Sequence, residues 1–120
     1  MTRGLGDLEA DIMRRLWDAT GPVSVRDVLL SLEDDRPLAY NTVKTVMERL
    51  YAKSLLTRVE SGKAYLYRPA MTRAEFTAGL MLDALDETAD RTAALVHFTD
   101  RMTPEQVSIL SRLLASRPQT

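Results

Sequence analysis

The chain of 120 residues contains no cysteine, which removes disulfide scaffolds, thiol catalysis and thiolate metal sites together. It has a single histidine, His97, so a multi-histidine zinc site is excluded as well. There is no glycine-rich phosphate loop and no nucleophile beside a base at a recognisable spacing, so neither an enzyme nor a cofactor or metal site is expected. No stretch approaches the ~20 apolar residues of a membrane span. Met1–Gly6 leads at once into Asp7, Glu9 and Asp11 rather than into the apolar core of a signal peptide. A folded cytoplasmic protein without membrane insertion is expected, built as one compact domain or one domain with an appendage.

Neither sign of charge dominates, the formal net being −1, but the charges are unevenly spread. Residues 1–35 carry 4 Lys/Arg against 8 Asp/Glu, residues 36–70 carry 7 against 2, and residues 71–120 carry 5 against 7. The middle block is a local basic patch. Phosphate binding needs such a patch rather than a high overall pI, because steering and counterion release act at the contact surface.

Within that block Tyr40–Lys53 reads as one helix, with Val43, Val46, Met47 and Leu50 at the i, i+3, i+4, i+7 spacing of a buried stripe. Its other face presents Tyr40, Asn41, Thr42, Lys44, Thr45, Glu48 and Arg49, short hydroxyl, amide and basic groups gathered in the first two turns. That is where a major-groove recognition helix meets base edges, with Arg49 and Lys53 placed where phosphates would pass. An ordinary amphipathic core helix has the same stripe, so the following segment decides between the two readings. Leu56–Glu60 and Lys63–Arg68 have period-two patterning with β-branched and aromatic residues, separated by Ser61-Gly62, and so predict a β-hairpin. Its tip carries Lys63, flanked by Arg58 and Arg68. Helix plus hairpin spells a winged helix-turn-helix.

The remaining elements complete this architecture. Asp7 is expected to cap a first helix with Leu8, Ile12, Met13, Leu16 and Trp17 facing inward, ending near Gly21-Pro22. Val23 is expected to form a one-residue strand against the hairpin. Ser24 then caps a second helix that ends at Glu33-Asp34-Asp35, and Arg36–Ala39 forms the turn, with Pro37 barring helical geometry before it. Beyond Pro69, Thr72-Arg-Ala-Glu75 fits a capping box opening a fourth helix with Phe76, Leu80, Met81, Ala84 and Leu85. Arg91–Arg101 predicts a fifth helix, and Thr103-Pro-Glu-Gln106 opens a sixth with Val107, Leu110, Leu113 and Leu114. The expected fold is therefore mostly α with a small β-hairpin, a winged-helix domain over residues 1–70 and a helical dimerisation region over 71–120. The last three helices carry more large apolar side chains than a small winged domain has spare surface to cover, so an isologous homodimer through Phe76, Leu80, Leu95, Phe98, Val107, Leu110, Leu113 and Leu114 is expected, the rival being that these helices fold back onto the chain's own winged domain.

Three motifs in order resemble the penicillinase and methicillin-resistance repressors, the BlaI/MecI family, over nearly the whole chain. Glu9-x-x-Ile-Met13 with Trp17 resembles the family's first helix. Thr42-Val-x-Thr45 with Arg49-Leu50 and Lys53 resembles its recognition helix, and Gly62-Lys63 with Tyr67-x-Pro69 resembles its wing and exit. Leu95-Val-His-Phe98 falls where the family often has Asn-Phe, the bond cut when a membrane-bound, β-lactam-sensing metalloprotease relieves repression, which makes His97-Phe98 a candidate cleavage position. Two residues depart from the family pattern. Ala39 replaces a capping Ser, moving the expected start of the reader helix to Asn41, and Ser54 replaces a Gly where a left-handed cap is expected.

The reading is a homodimeric repressor that occupies a pseudo-palindromic double-stranded DNA operator and excludes RNA polymerase. Thr42, Lys44 and Thr45 are assigned to bases, and Tyr40, Asn41, Arg49 and Lys63 to phosphates or groove edges. The resemblance implies targets in β-lactam resistance or cell-wall stress, TACA/TGTA-type half-sites, and relief by proteolysis in the C-terminal region. Two alternatives are a winged-helix regulator released from DNA by direct small-molecule binding and a winged-helix protein-protein adaptor without DNA binding.

Overall fold

A computed structural model of the chain describes residues 5–32 and 38–118. Six helices and a two-stranded ribbon follow one another as α1 Asp7–Asp18, α2 Val25–Leu32, α3 Tyr40–Ala52, β1 Leu56–Ser61, β2 Ala64–Pro69, α4 Arg73–Glu87, α5 Arg91–Asp100 and α6 Pro104–Ala115. The expected end of α2 at Glu33–Asp35 and the turn at Arg36-Pro37 lie outside the described residues.

Local hydrogen bonds explain where most of these helices start. Ser24 Oγ accepts from the Asp27 N–H at 3.1 Å while Asp27 Oδ2 accepts from the Ser24 N–H at 3.0 Å. Thr72 and Glu75 make the same reciprocal pair at 3.0 and 2.9 Å, and Thr103 and Gln106 at 3.1 and 2.9 Å. Each pair satisfies two N–H groups that the first helical turn leaves without a partner. At α1 the cap is Gly6 rather than the expected Asp7, and Glu9 Oε1 reaches back to the Gly6 N–H at 3.1 Å. α3 begins at Tyr40, one residue before the expected Asn41, with Ala39 at the N-cap and no side chain capping it.

The other end of α3 is held differently. Ser54 adopts φ 66°, its N–H bonds Tyr51 O at 3.0 Å, and the Leu55 N–H bonds Leu50 O at 3.0 Å. This pair of 5→2 and 6→1 bonds, with buried Leu50 and Leu55 at the hydrophobic positions, closes the helix and turns the chain into the ribbon. The hairpin register pairs Ser61 with Ala64, so the two-residue turn is Gly62-Lys63, one residue beyond the expected Ser61-Gly62. Gly62 sits at φ 63°, a conformation suited to the first central position of a hairpin turn and easily reached only by glycine. Val23 pairs with Tyr67 through bonds of 2.9 and 2.7 Å, adding the one-residue third strand.

The chain divides into two compact units, residues 1–80 and 81–120, with the boundary inside α4 rather than at the hairpin exit. In the first, Ile12, Met13 and Leu16 of α1, Val25, Val28 and Leu32 of α2, and Val43, Val46, Met47 and Leu50 of α3 close on Leu55, Leu56, Tyr67 and Phe76. Trp17 packs on the edge of this core, donating from Nε1 to Met71 O at 3.0 Å with its ring centroid 5.6 Å from that of Phe76. In the second unit, no described residue is buried. Among the described residues no helix is long and apolar enough to cross a membrane.

Candidate nucleic-acid interface

The reader helix sorts its residues by face. Val43, Val46, Met47 and Leu50 are buried, while Tyr40, Asn41, Thr42, Lys44, Thr45, Glu48 and Arg49 are all exposed. The apolar stripe fixes the rotation of α3 about its axis, so these polar side chains share the outward side as a consequence of core packing. Among the described residues, Lys44 and Lys63 have no ion-pair partner. Lys63 stands at the second central position of the hairpin turn, so the ribbon presents a cation at its tip.

Two basic residues of this region are held within the protein. Lys53, which the sequence places near phosphates, lies with Nζ 2.9 Å from Glu9 Oε2 and ties the end of α3 to the start of α1. That hydrogen bond is the main reason the Glu9 carboxyl is held below its ordinary value, with the Gly6 N–H and the positive charges of Lys53 and Arg49 adding to it and partial burial opposing it. Arg58 is held by aromatic rings: its Cζ lies 4.0 Å from the Tyr51 ring centroid and 3.9 Å from that of Tyr65. The Tyr67 hydroxyl accepts from Arg58 Nη1 at 3.4 Å and raises the guanidinium above its ordinary value. Composition showed Arg58 only as part of a basic ribbon, because its partners lie on different elements.

The residues expected at a subunit interface fall into two groups. Phe76 is 6% exposed and Leu80 packs against the same cluster, so both complete the first unit's own core. The helical spacing that marked them identifies an apolar face without saying what covers it. Leu95, Phe98, Val107, Leu113 and Leu114 are exposed, at 44–58%, and Leu110 is half-buried. Met81, Leu82, Val96 and Ile109 are also exposed and were not among the interface residues singled out by sequence. His97 is exposed, and the His97-Phe98 bond lies inside helix α5.

The family model of the penicillinase repressor matches residues 5–116. The chain belongs to the penicillinase repressor family. It is thus a DNA-binding transcriptional repressor, a kind of protein outside the enzyme classes. The transcriptional regulator BlaI from two strains of Mycobacterium tuberculosis is 45% identical over 114 residues, covering 92% of this chain and 83% of that protein. The solution structure of the DNA binding domain of the repressor BlaI matches with a TM-score of 0.54 at 21% identity, over 62% of this chain and 93% of that one. Bacillus licheniformis BlaI, solved as a monomeric form in complex with the blaP half-operator, matches with a TM-score of 0.51 at 20% identity, over 62% of this chain and 90% of that one. These two likenesses show a winged-helix fold over 62% of this chain.

Proposed function

We propose that this repressor acts as a homodimer on a pseudo-palindromic operator, one α3 per major groove, and controls genes of β-lactam resistance or cell-wall stress in the cytoplasm. The observation that carries this reading is the division of α3 into a buried apolar stripe and an exposed polar face. Thr42, Lys44 and Thr45 read base edges, whereas Tyr40, Asn41, Arg49 and Lys63 meet phosphates or groove edges. The exposed apolar side chains of α5 and α6 support a subunit interface between two copies, since a monomer gains nothing by leaving them in water. Repression ends when a membrane-bound sensor metalloprotease cuts the chain at His97-Phe98 and separates the two readers.

The test is a duplex titration over a salt series, using Arg49→Ala and Thr45→Ala beside the parent. A dimer touching roughly 6 to 10 phosphates should show a log-log slope of about −0.9 per phosphate. Arg49→Ala should weaken binding to all sequences alike, and Thr45→Ala should lose about 1–3 kcal/mol of discrimination at one base position. A flat salt response, or equal losses on operator and random DNA for Thr45→Ala, would refute the assignment of this face.

A further inference from the structure

The joint between α3 and the ribbon contains a group that neither base nor phosphate recognition uses. Arg58 of β1 is held between Tyr51, from the last turn of α3, and Tyr65, from β2, with ring centroids 4.0 and 3.9 Å from its Cζ. The register pairs Arg58 with Tyr67 and Glu60 with Tyr65, which sets Arg58 and both strand tyrosines on one face of the ribbon. Tyr51 and Tyr65 are 41% and 36% exposed, so this stack is a surface clamp rather than a piece of the core. A guanidinium is flat and weakly hydrated and can lie against two rings at once, which a compact, strongly hydrated ammonium cannot do.

We infer that Arg58 is a positioning residue for DNA binding: it clamps the wing to the C-terminal end of the reader helix, so that Lys63 meets the duplex backbone at a fixed offset from the base-reading face of α3. The inference rests on the reading of Lys63 as a phosphate-binding residue. Without the clamp, the ribbon remains attached through the Val23 bridge and the turn at Ser54, and only its tip is released. Lys63 then has to be ordered at the moment of binding, a restriction of freedom that subtracts from affinity. Arg58 itself, with its faces covered and one Nη directed at Tyr67, touches no phosphate.

The experiment uses the full chain, a mixed-sequence duplex of about 30 base pairs and a salt series, because phosphate binding is independent of sequence. Lys63→Ala should weaken binding and lower the salt slope by about 0.9 for each phosphate it leaves unneutralised. Arg58→Lys keeps the charge, yet should weaken binding and lower the slope to the same degree. Adding Lys63→Ala to Arg58→Lys should then change affinity by less than about twofold, since Lys63 no longer holds the backbone in the arginine variant. Tyr65→Leu, which leaves Arg58 in place, should reproduce the weakening and guards against a fold-specific failure of the arginine variant. If Arg58→Lys binds like the parent, or if the two effects multiply, Arg58 acts through its charge or independently of the tip and the clamp is refuted. If Lys63→Ala is itself neutral, the phosphate role of Lys63 falls and the offset argument with it, an outcome separate from failure of the clamp alone.

Discussion

Residues 5–80 and residues 81–118 are both rich in helix and have very different interiors. Among the described residues every buried apolar side chain, from Ile12 to Phe76, belongs to the first unit, while the second leaves Leu95, Phe98, Leu113 and Leu114 about half exposed. Three helices meeting a ribbon can enclose a core, because the ribbon and α4 cover the sides that α1–α3 leave open. Short helices such as α5, with 10 residues, and α6, with 12, can each carry exposed apolar side chains without enclosing a core. The contrast separates two ways of placing apolar surface: one unit turns it to its own stability and the other leaves it exposed, which in the proposed dimer is where a second chain would pack.

The largest expected effect comes from removing the second unit's face. A chain ending at His97 keeps the whole buried core but lacks Phe98 and all of α6. It should fold, sediment as a monomer and bind operator 10² to 10⁴ times more weakly, because linking two readers makes the second half-site encounter intramolecular at about millimolar effective concentration. A fragment that stays dimeric and binds as tightly as the parent would erase the proposed division of labour.

Next comes a matched pair of truncations. Met47→Ala in the first unit opens a cavity in a site with no exposure and should cost about 2–5 kcal/mol in denaturant unfolding. Leu114→Ala, 56% exposed in a single chain, should change the unfolding of dilute monomer by no more than about 0.5 kcal/mol while raising the dimer dissociation constant. Equal effects on unfolding in the two variants would show that the units are not differently built.

Smaller effects sharpen the account of the first unit. Ser54→Gly relieves a Cβ-bearing residue at φ 66° and should raise the stability of that unit by up to about 1 kcal/mol, measured as a shift in urea midpoint. The ion pair of Glu9 with Lys53 should contribute less than about 1 kcal/mol. Because the folded-state value of Glu9 lies below its ordinary 4.5, this stability is present above pH 4.5 and is lost as pH falls through the lower, folded value. Glu9→Gln should therefore be less stable than the parent at neutral pH and converge with it in acid. A constant gap between the two down to full acid denaturation would contradict the pairing.

Much of this was legible from residues alone because the signals are local. The Ser24/Asp27, Thr72/Glu75 and Thr103/Gln106 pairs span three residues each, and the α3 stripe is a matter of spacing. The hairpin turn was misplaced by one residue because a Ser-Gly pair and a Gly-Lys pair both fit, and only the cross-strand register separates them. Phe76 and Leu80 went to the wrong surface because periodicity names a face and not its partner. The Glu9 and Lys53 pairing, 44 residues apart, and the stacking of Arg58 on Tyr51 and Tyr65 needed the tertiary fold to bring their parts together.

The bridge between Val23 and Tyr67 gives the ribbon the mechanics of a beam fixed at one end. Its two hydrogen bonds root β2 at its fourth residue, the Arg58 stack holds Tyr65 two residues further out, and beyond that only Ala64, its partner Ser61 and the turn project as a free span. A span with no third strand twists more readily than a wider sheet, and displacement grows with distance from the root. Backbone order parameters should therefore decline beyond Tyr65, toward Gly62, in the free protein. Bound duplex, by supporting the far end of the beam, should level that gradient.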